Sequence, residues 1–403
     1  MNREASQPVK LAEIARVFGT LGCLGFGGPM AVMGMIEEET TRKRAWITPQ
    51  KFAEVYSVCK LLPGPQSTQM AILVGKLASQ SVWGGILAGT LMTIPAFILV
   101  LGLSMVYVGA EVMSRLGGTL SAMQAAALVV IYLSAWQLSQ PYLKNPDRTK
   151  RRRSILIGLV GLALVSRLPR AEPLVIVGFG LLGIWRYRTQ AREHAAKLPV
   201  WSWPLVAPAA TRALAGSAGA AAGAAAPLGG LFWSCFKAGA FVFGSGLAVV
   251  PLLEADAVAH HGWLTHAQFM DGIALGQITP GPVVITATFI GYKVAGLLGA
   301  IMATLGIFLP SYINALYLVP RTWERWNHRP EVYEFSAWAI PSVVGAILAT
   351  TLRLSWFTLR GPVPLVAFVT CFALAIWKKP PSWLLLPGAG LVAFALHALW
   401  GVG

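Results

Sequence analysis

The sequence predicts an all-α integral membrane protein: about ten to twelve membrane helices or half-helices in two inverted repeats, with helices broken at Pro-Gly-Pro. Three observations carry that prediction. Of 403 residues, 56% are hydrophobic and only 12% are charged, where soluble chains carry roughly 25% charged residues. A shift of 217 positions lays the chain on itself. Lysine and arginine then gather on opposite sides of equivalent segments.

The opening residues, MNREASQPVKLAEIARVFGT, lack the basic region, short apolar core and small-residue cleavage site of a secretory signal. Insertion through the chain's own spans is therefore expected. A glycine-rich break follows, GFGGPMAV (25–32), which makes Phe26, Gly27 and Gly28 candidate binding residues, and Glu37, Glu38 and Glu39 come about ten residues later. Glu37 is a proton-coupling candidate, or a solvated acid facing Arg42 or Arg44. Trp46 reads as an interfacial anchor.

Pro63-Gly64-Pro65 is the next break. Proline removes a backbone donor and clashes with the preceding turn, and glycine opens conformations that other residues avoid. In hydrocarbon each freed backbone group costs several kcal/mol, so such a segment is expected to be buried in protein or to line a wet cavity. Gln66, Ser67, Thr68 and Gln69 follow at once. They could hold an oxyanion or cap the new half-helix. Lys76, eleven residues past Pro65, is a candidate for the substrate's charge or a side chain that snorkels.

The run 84–109 exceeds the roughly 20 apolar residues that cross a bilayer. Segment 154–185 has SRLPRAEP at its middle and reads as two short helices in a hairpin. Residues 1–190 thus form the first repeat, and a basic, then Pro/Ala/Gly-rich stretch (191–228) forms a linker.

The second repeat, 229–403, restates the first. Phe26-Gly27 aligns with Phe243-Gly244, Glu37 with Glu254, Trp46 with Trp263, Thr48 with Thr265, Phe52 with Phe269, Pro63-Gly64-Pro65 with Pro280-Gly281-Pro282, and Lys76 with Lys293. After a two-residue slip Pro95 meets Pro310. Such agreement over scarce residue types marks a duplication. Phe243, Gly244 and Ser245 form the second glycine break, with Glu254 and Asp256 as further proton-coupling candidates. Gln277, Thr279, Pro280, Gly281, Pro282, Thr286 and Lys293 complete the candidate substrate site. A span over 295–319 and a hairpin around WKKPPSW end the chain.

Charge placement supplies the orientation. Loop 38–51 holds Arg42, Lys43, Arg44 and Lys51, and its counterpart 255–267 holds no lysine or arginine. Loop 109–119 has only Arg115, whereas RTWERWNHR (321–329) has three arginines. Basic residues near span ends mark the cytoplasmic side, so the two copies are read as inverted. The Lys144–Arg153 cluster fits only if 52–80 is a re-entrant pair, or else it departs from the rule.

The net charge of +16 lies in short clusters between apolar segments, which speaks against nucleic acid as a partner. Membrane lipid is the expected surround. Cys23, Cys59, Cys235 and Cys371 stand singly, giving neither a disulfide framework nor a zinc site. No cofactor is expected. A homodimer is left open. Discontinuous helices at equivalent places in two halves point to a transporter site, and half-helix N-termini favour an anion there.

The stretches FGSGLAVVPLLEADAVAHHGW, GQITPGPVVITATFIGYKVAG and CKLLPGPQSTQMAILVGKLA resemble the chromate ion transporter family in its long, two-domain form. The resemblance covers both halves. It implies a multi-pass protein of the bacterial inner membrane that expels chromate on the proton-motive force and confers resistance. The family's motifs fall on Phe26 to Pro29, Trp46, Pro63 to Pro65, Phe243, Gly244, Trp263, Gln277 to Pro282 and Gly291 to Lys293. Ser245 stands where a second glycine is usual, and Gly75-Lys76 replaces the Gly-Tyr pair of Gly291-Tyr292. A carrier of sulfate and similar oxyanions is the alternative. A chromate-reducing enzyme would need a redox centre, and the sequence offers no CxxC pair, dinucleotide fingerprint or paired haem ligands.

Overall fold

The computed structural model describes residues 8–108, 110–194, 226–243, 246–319, 329–378 and 380–400. Among the described residues the regular structure is helical, with no strand. The first half runs α1 (Leu11–Leu24), α2 (Gly28–Glu37), α3 (Pro49–Leu61), α4 (Gln66–Ser79), α5 (Val82–Val108), α6 (Ala110–Leu143), α7 (Arg148–Arg167) and α8 (Glu172–His194). The second half runs α9 (Ala226–Ala240), α10 (Val249–Glu254), α11 (His266–Ile278), α12 (Thr286–Ile313), α13 (Pro330–Thr358), α14 (Pro362–Trp377) and α15 (Ser382–Trp400). Gly244 and Ser245 lie outside the described residues, as does most of the linker.

The duplication reaches the level of single turns. α2 widens into a π turn at Glu38–Lys43, and α10 does so at Ala255–His260, 217 positions on. The Trp46 amide closes that turn on the Thr40 carbonyl and the Trp263 amide on that of Ala257, both at 2.8 Å. The Thr48 hydroxyl caps α3 through the Lys51 amide, and the Thr265 hydroxyl caps α11 through that of Gln268.

α12 is one run in sequence and a hairpin in space. Ala295 and Gly296 leave helical geometry, with Gly296 at φ +59°. The Thr288 and Thr304 hydroxyls meet at 2.7 Å, although sixteen residues of straight helix would hold them about 24 Å apart. Gly291 and Gly299 face each other so closely that a Cβ on either would strike the other's carbonyl. α4 and α5 make the same hairpin in the first half: Gln80 takes φ +54° at the turn, and Gly75 and Gly84 are the close pair.

Among the described residues, four helical stretches are long and apolar enough to cross a membrane: 82–108, 118–143, 283–318 and 330–358. Shorter apolar helices occupy 362–377 and 382–395. Large apolar side chains stand outward along α5 (Ile98, Val106), α7 (Leu156, Leu159) and α14 (Val366, Val369). A surface of that kind belongs in lipid, and the chain is a multi-pass membrane protein.

The halves are interleaved. α5 packs on α12 at the centre, the α7–α8 hairpin packs on α13 of the other half, and α14 and α15 pack on α6.

Candidate functional site

At each triplet the helix stops and restarts. α3 ends at Leu61 and α4 begins at Gln66, with Leu62 extended and Gly64 at φ +126° between them. α11 ends at Ile278, Thr279 is extended, Gly281 takes φ +102°, and a 3-10 turn at Val283–Ile285 leads into α12. Positive φ of this size is open to glycine and strained for any other residue, so the middle position of each triplet is fixed by backbone geometry.

The two triplets are tied to the two glycine breaks by a reciprocal pair of hydrogen bonds. The Gly64 amide donates to the Val242 carbonyl at 2.7 Å, and the Gly281 amide donates to the Gly25 carbonyl at 2.9 Å. Gly64 and Gly281 are repeat equivalents, as are Gly25 and Val242. Each half therefore docks its triplet on the other half's break, and exchanging the halves leaves the pattern unchanged, which is the signature of a two-fold axis.

Around this shared backbone the side chains differ. The Pro63 carbonyl accepts from Gln69 Nε2 at 2.6 Å and from Asn314 Nδ2 at 2.7 Å. A Cβ at Gly64 would strike the Gln69 amide and come within 2.9 Å of Ser311 Oγ. At Gly281 the corresponding neighbours are Ala96 Cβ, 3.1 Å, and the Met92 carbonyl. Ala96 is the slipped-repeat equivalent of Ser311, so one triplet has a polar wall and the other an apolar one.

Several buried polar atoms here have no hydrogen-bond partner among the described residues: Thr68 Oγ1, Gln69 Oε1 and Ser311 Oγ by the first triplet, and Gln277 Nε2 just before the second. Thr68, Gln69 and Ser311 are fully buried. Leaving a buried polar group unpaired costs about 1–3 kcal/mol, so such a cluster asks for a ligand or water. The amides in the first turn of α4 also lack helix partners and present its positive end. Ser67 is buried and Gln66 half-buried at that same start. The Thr279 and Thr286 hydroxyls donate back to the Gly276 and Val283 carbonyls three residues earlier, so both are already paired. The triplets are close-packed rather than open to water in this conformation.

Other candidates stand apart. Lys76, in the last turn of α4, is ten residues past Gln66, about 15 Å along the helix. Lys293 lies at a similar remove, 5.6 Å over the Tyr107 ring and in the field of Asp271. Asp271 itself accepts from Tyr107 Oη and Gln124 Nε2, both at 2.7 Å. Phe26 and Phe243 face other helices, against Trp383 at 5.4 Å and Phe335 at 6.2 Å, while Gly27 and Gly28 hold positive φ at the break. Trp46 is buried in the first-half core, and Trp263 stacks on His261 at 4.1 Å.

The acids divide. Glu37 is a half-exposed partner of Arg42 at 3.6 Å. Its neighbour Glu39 is held below the usual carboxylate range by the Lys43 hydrogen bond at 2.7 Å and by Arg44. Glu254, the repeat equivalent of Glu37, is fully buried and accepts from Arg353 Nε at 3.2 Å and from Arg353 Nη2, with His266 Nδ1 3.4 Å away. Asp256 pairs with Lys237 at 2.8 Å.

A family model described as Chromate transporter matches residues 12–184 and 229–394, both halves of the chain. The chain belongs to the chromate transporter family. It is 32% identical to the chromate transport protein of Cupriavidus metallidurans, over 96% of this chain and 94% of that one. It is 29% identical to a probable chromate transport protein of Synechococcus elongatus, over 93% of each. An uncharacterized transporter of Bacillus subtilis is 26% identical across 40% of this chain and 80% of its own length. No solved structure matches.

Three residues that matter here, Ser311, Asn314 and Arg353, were not marked by the sequence. Ser311 and Asn314 follow Pro310 closely, and the repeat alignment at Pro95 was the available pointer. Glu172 is marked in the sequence only by its place in SRLPRAEP.

Proposed function

We propose that this chain exports chromate across the bacterial inner membrane, driven by the proton-motive force, and thereby confers chromate resistance. The observation that carries the reading is the group of buried, unpartnered polar atoms at the crossed breaks. A dianion leaving water needs donors in its place. The hydroxyls of Thr68 and Ser311 and the first-turn amides of α4 would supply them without a full positive charge that would trap the ion. The polar wall favours the Pro63–Pro65 end as the binding position, and the close packing corresponds to an occluded state.

An inverted repeat supports alternating access to that position. Arg153 and Arg188 meet Glu334 and Glu331 near the start of α13. Arg353, about 30 Å further along the same helix, meets Glu254 beside loop 255–267. At the other pole, Arg44 of loop 38–51 pairs with Glu13, and the Val9 amide bonds the Ala78 carbonyl at the turn into α5. α5 then runs away to Tyr107, bonded to Asp271 just after loop 255–267. These contacts support the reading that the two equivalent loops lie toward opposite ends of the bundle, as their opposite charge suggests. The 13 residues of α3 reach about 20 Å, too short for a hydrocarbon core near 30 Å, which favours α3–α4 as a re-entrant pair and returns the Lys144–Arg153 cluster to the cytoplasmic side.

The test is uptake of labelled chromate into inside-out vesicles, with and without a proton gradient and with excess sulfate. Gradient-dependent accumulation is expected, reduced on the order of tenfold by Ser311→Ala with Thr68→Val, the loss of two donors to a charged ligand. Competition by sulfate would widen the substrate to tetrahedral dianions in general. Failure of the wild-type chain to accumulate chromate would overturn the reading.

A further inference from the structure

Glu172, the first residue of α8, is 1% exposed, and neither of its carboxyl oxygens has a hydrogen-bond partner among the described residues. An ionised carboxylate in that condition is among the most costly groups a protein can bury. Its surroundings are charged. From α10 comes Glu254, from the π turn at 255–260 come Asp256 and the exposed His260, from α13 comes Arg353, and from α7 the exposed Arg167. Lys237 of α9 enters through its pair with Asp256, and His266 flanks Glu254 while stacking on Phe357 at 4.0 Å.

Among the described residues, with Arg167 and His260 exposed to water, the remaining charges already balance without Glu172. Glu254 is matched by Arg353 and Asp256 by Lys237, so ionising Glu172 would leave one uncompensated negative charge in a buried place. Among the described residues, the cation that acts on both Glu172 and Glu254 is the Arg353 guanidinium, and in this structure its Nε and Nη2 both donate to the Glu254 carboxylate.

We propose that Glu172 is the proton-carrying carboxyl of the transport cycle, bearing its proton while Arg353 is bound to Glu254 and releasing it when Arg353 turns to Glu172. The assignment rests on the proton-driven reading above and gives it a residue. In each cycle the carboxyl O–H forms with a proton from water on the outer side and breaks to return that proton to water on the inner side, one proton per crossing and no electrons moved. Position suits the task. Glu172 packs against the loop that lacks lysine and arginine, toward the outer end of the bundle, where protons enter under the proton-motive force. Glu254 ends the short α10 that starts at the second glycine break, so the ownership of Arg353 bears directly on the segment that docks the first triplet through Val242 and Gly64.

Two measurements test it. Infrared titration of the purified protein reads the protonated-carboxyl stretch itself, and Glu172→Gln should remove one titrating band that the wild type shows. In vesicles, Glu172→Gln should keep chromate exchange at equilibrium, since the amide mimics the protonated acid, and lose gradient-driven accumulation on the order of tenfold or more. A spectrum unchanged by Glu172→Gln overturns the proposal. So does a variant that exchanges and accumulates like the wild type, or a folded variant that loses exchange and accumulation together. Absence of chromate flux in the wild type would count against the transport reading instead, and the infrared arm would still decide whether Glu172 carries a proton.

Discussion

Ala45 holds φ +49° at the turn after α2, where its repeat equivalent Gly262 holds φ +61°. The turn is the same in both halves, closed by the amides of Trp46 and Trp263. An L-residue pays roughly 1–2 kcal/mol for that conformation and glycine does not, although glycine brings extra unfolded-state entropy. Ala45→Gly is therefore expected to stabilise the protein by up to about 1 kcal/mol, and Gly262→Ala to destabilise it by a similar amount. Melting temperatures in detergent measure both, and a lowered melting temperature for Ala45→Gly would show that the turn is held by something other than its backbone preference.

A triplet works as an element, through where it stops one half-helix and starts another. Changing Pro280, Gly281 and Pro282 together to alanine favours continuous helix, since alanine exceeds glycine by about 1 kcal/mol and proline by about 3. Insertion should be preserved and chromate flux lost, because the Gly281 amide would turn into its own helix and leave the Gly25 carbonyl unpaired. Full flux through a well-expressed triple variant would reduce the triplets to packing kinks. These breaks could be read from sequence because proline and glycine act locally and recur 217 residues apart. The hairpin inside α12 was less legible, since Ala295-Gly296 looks like ordinary small-residue helix. Ser311 and Glu172 were hidden for a different reason. The position equivalent to Ser311 in the other repeat is Ala96, so symmetry gave it no weight, and Glu172 becomes a buried acid only when the α7–α8 hairpin crosses to α13 of the other half.

For the molecule as a whole, that crossing joins the two copies into one body with reciprocal contacts, and sidedness becomes a property of the entire chain. If the copies are inverted as proposed, their equivalent loops must open to different compartments even though they share the same π turn, the same threonine cap and the same closing hydrogen bond. The basic loop 38–51 should be cytoplasmic and loop 255–267 outward, because moving four positive charges to the outer face is what the insertion machinery resists. Lys43 and His260 are both exposed, which makes them suitable reporters. In a chain with Cys23, exposed, and the other three cysteines replaced, a membrane-impermeant thiol reagent added to whole cells whose outer membrane has been permeabilised should modify His260→Cys and spare Lys43→Cys. Inside-out vesicles should give the reverse. Labelling of both positions from one side would mean that the two-fold axis runs along the membrane normal. The halves would then open and close in parallel, and a single substrate position between the crossed triplets could not be offered alternately to the two sides by exchanging the roles of the repeats.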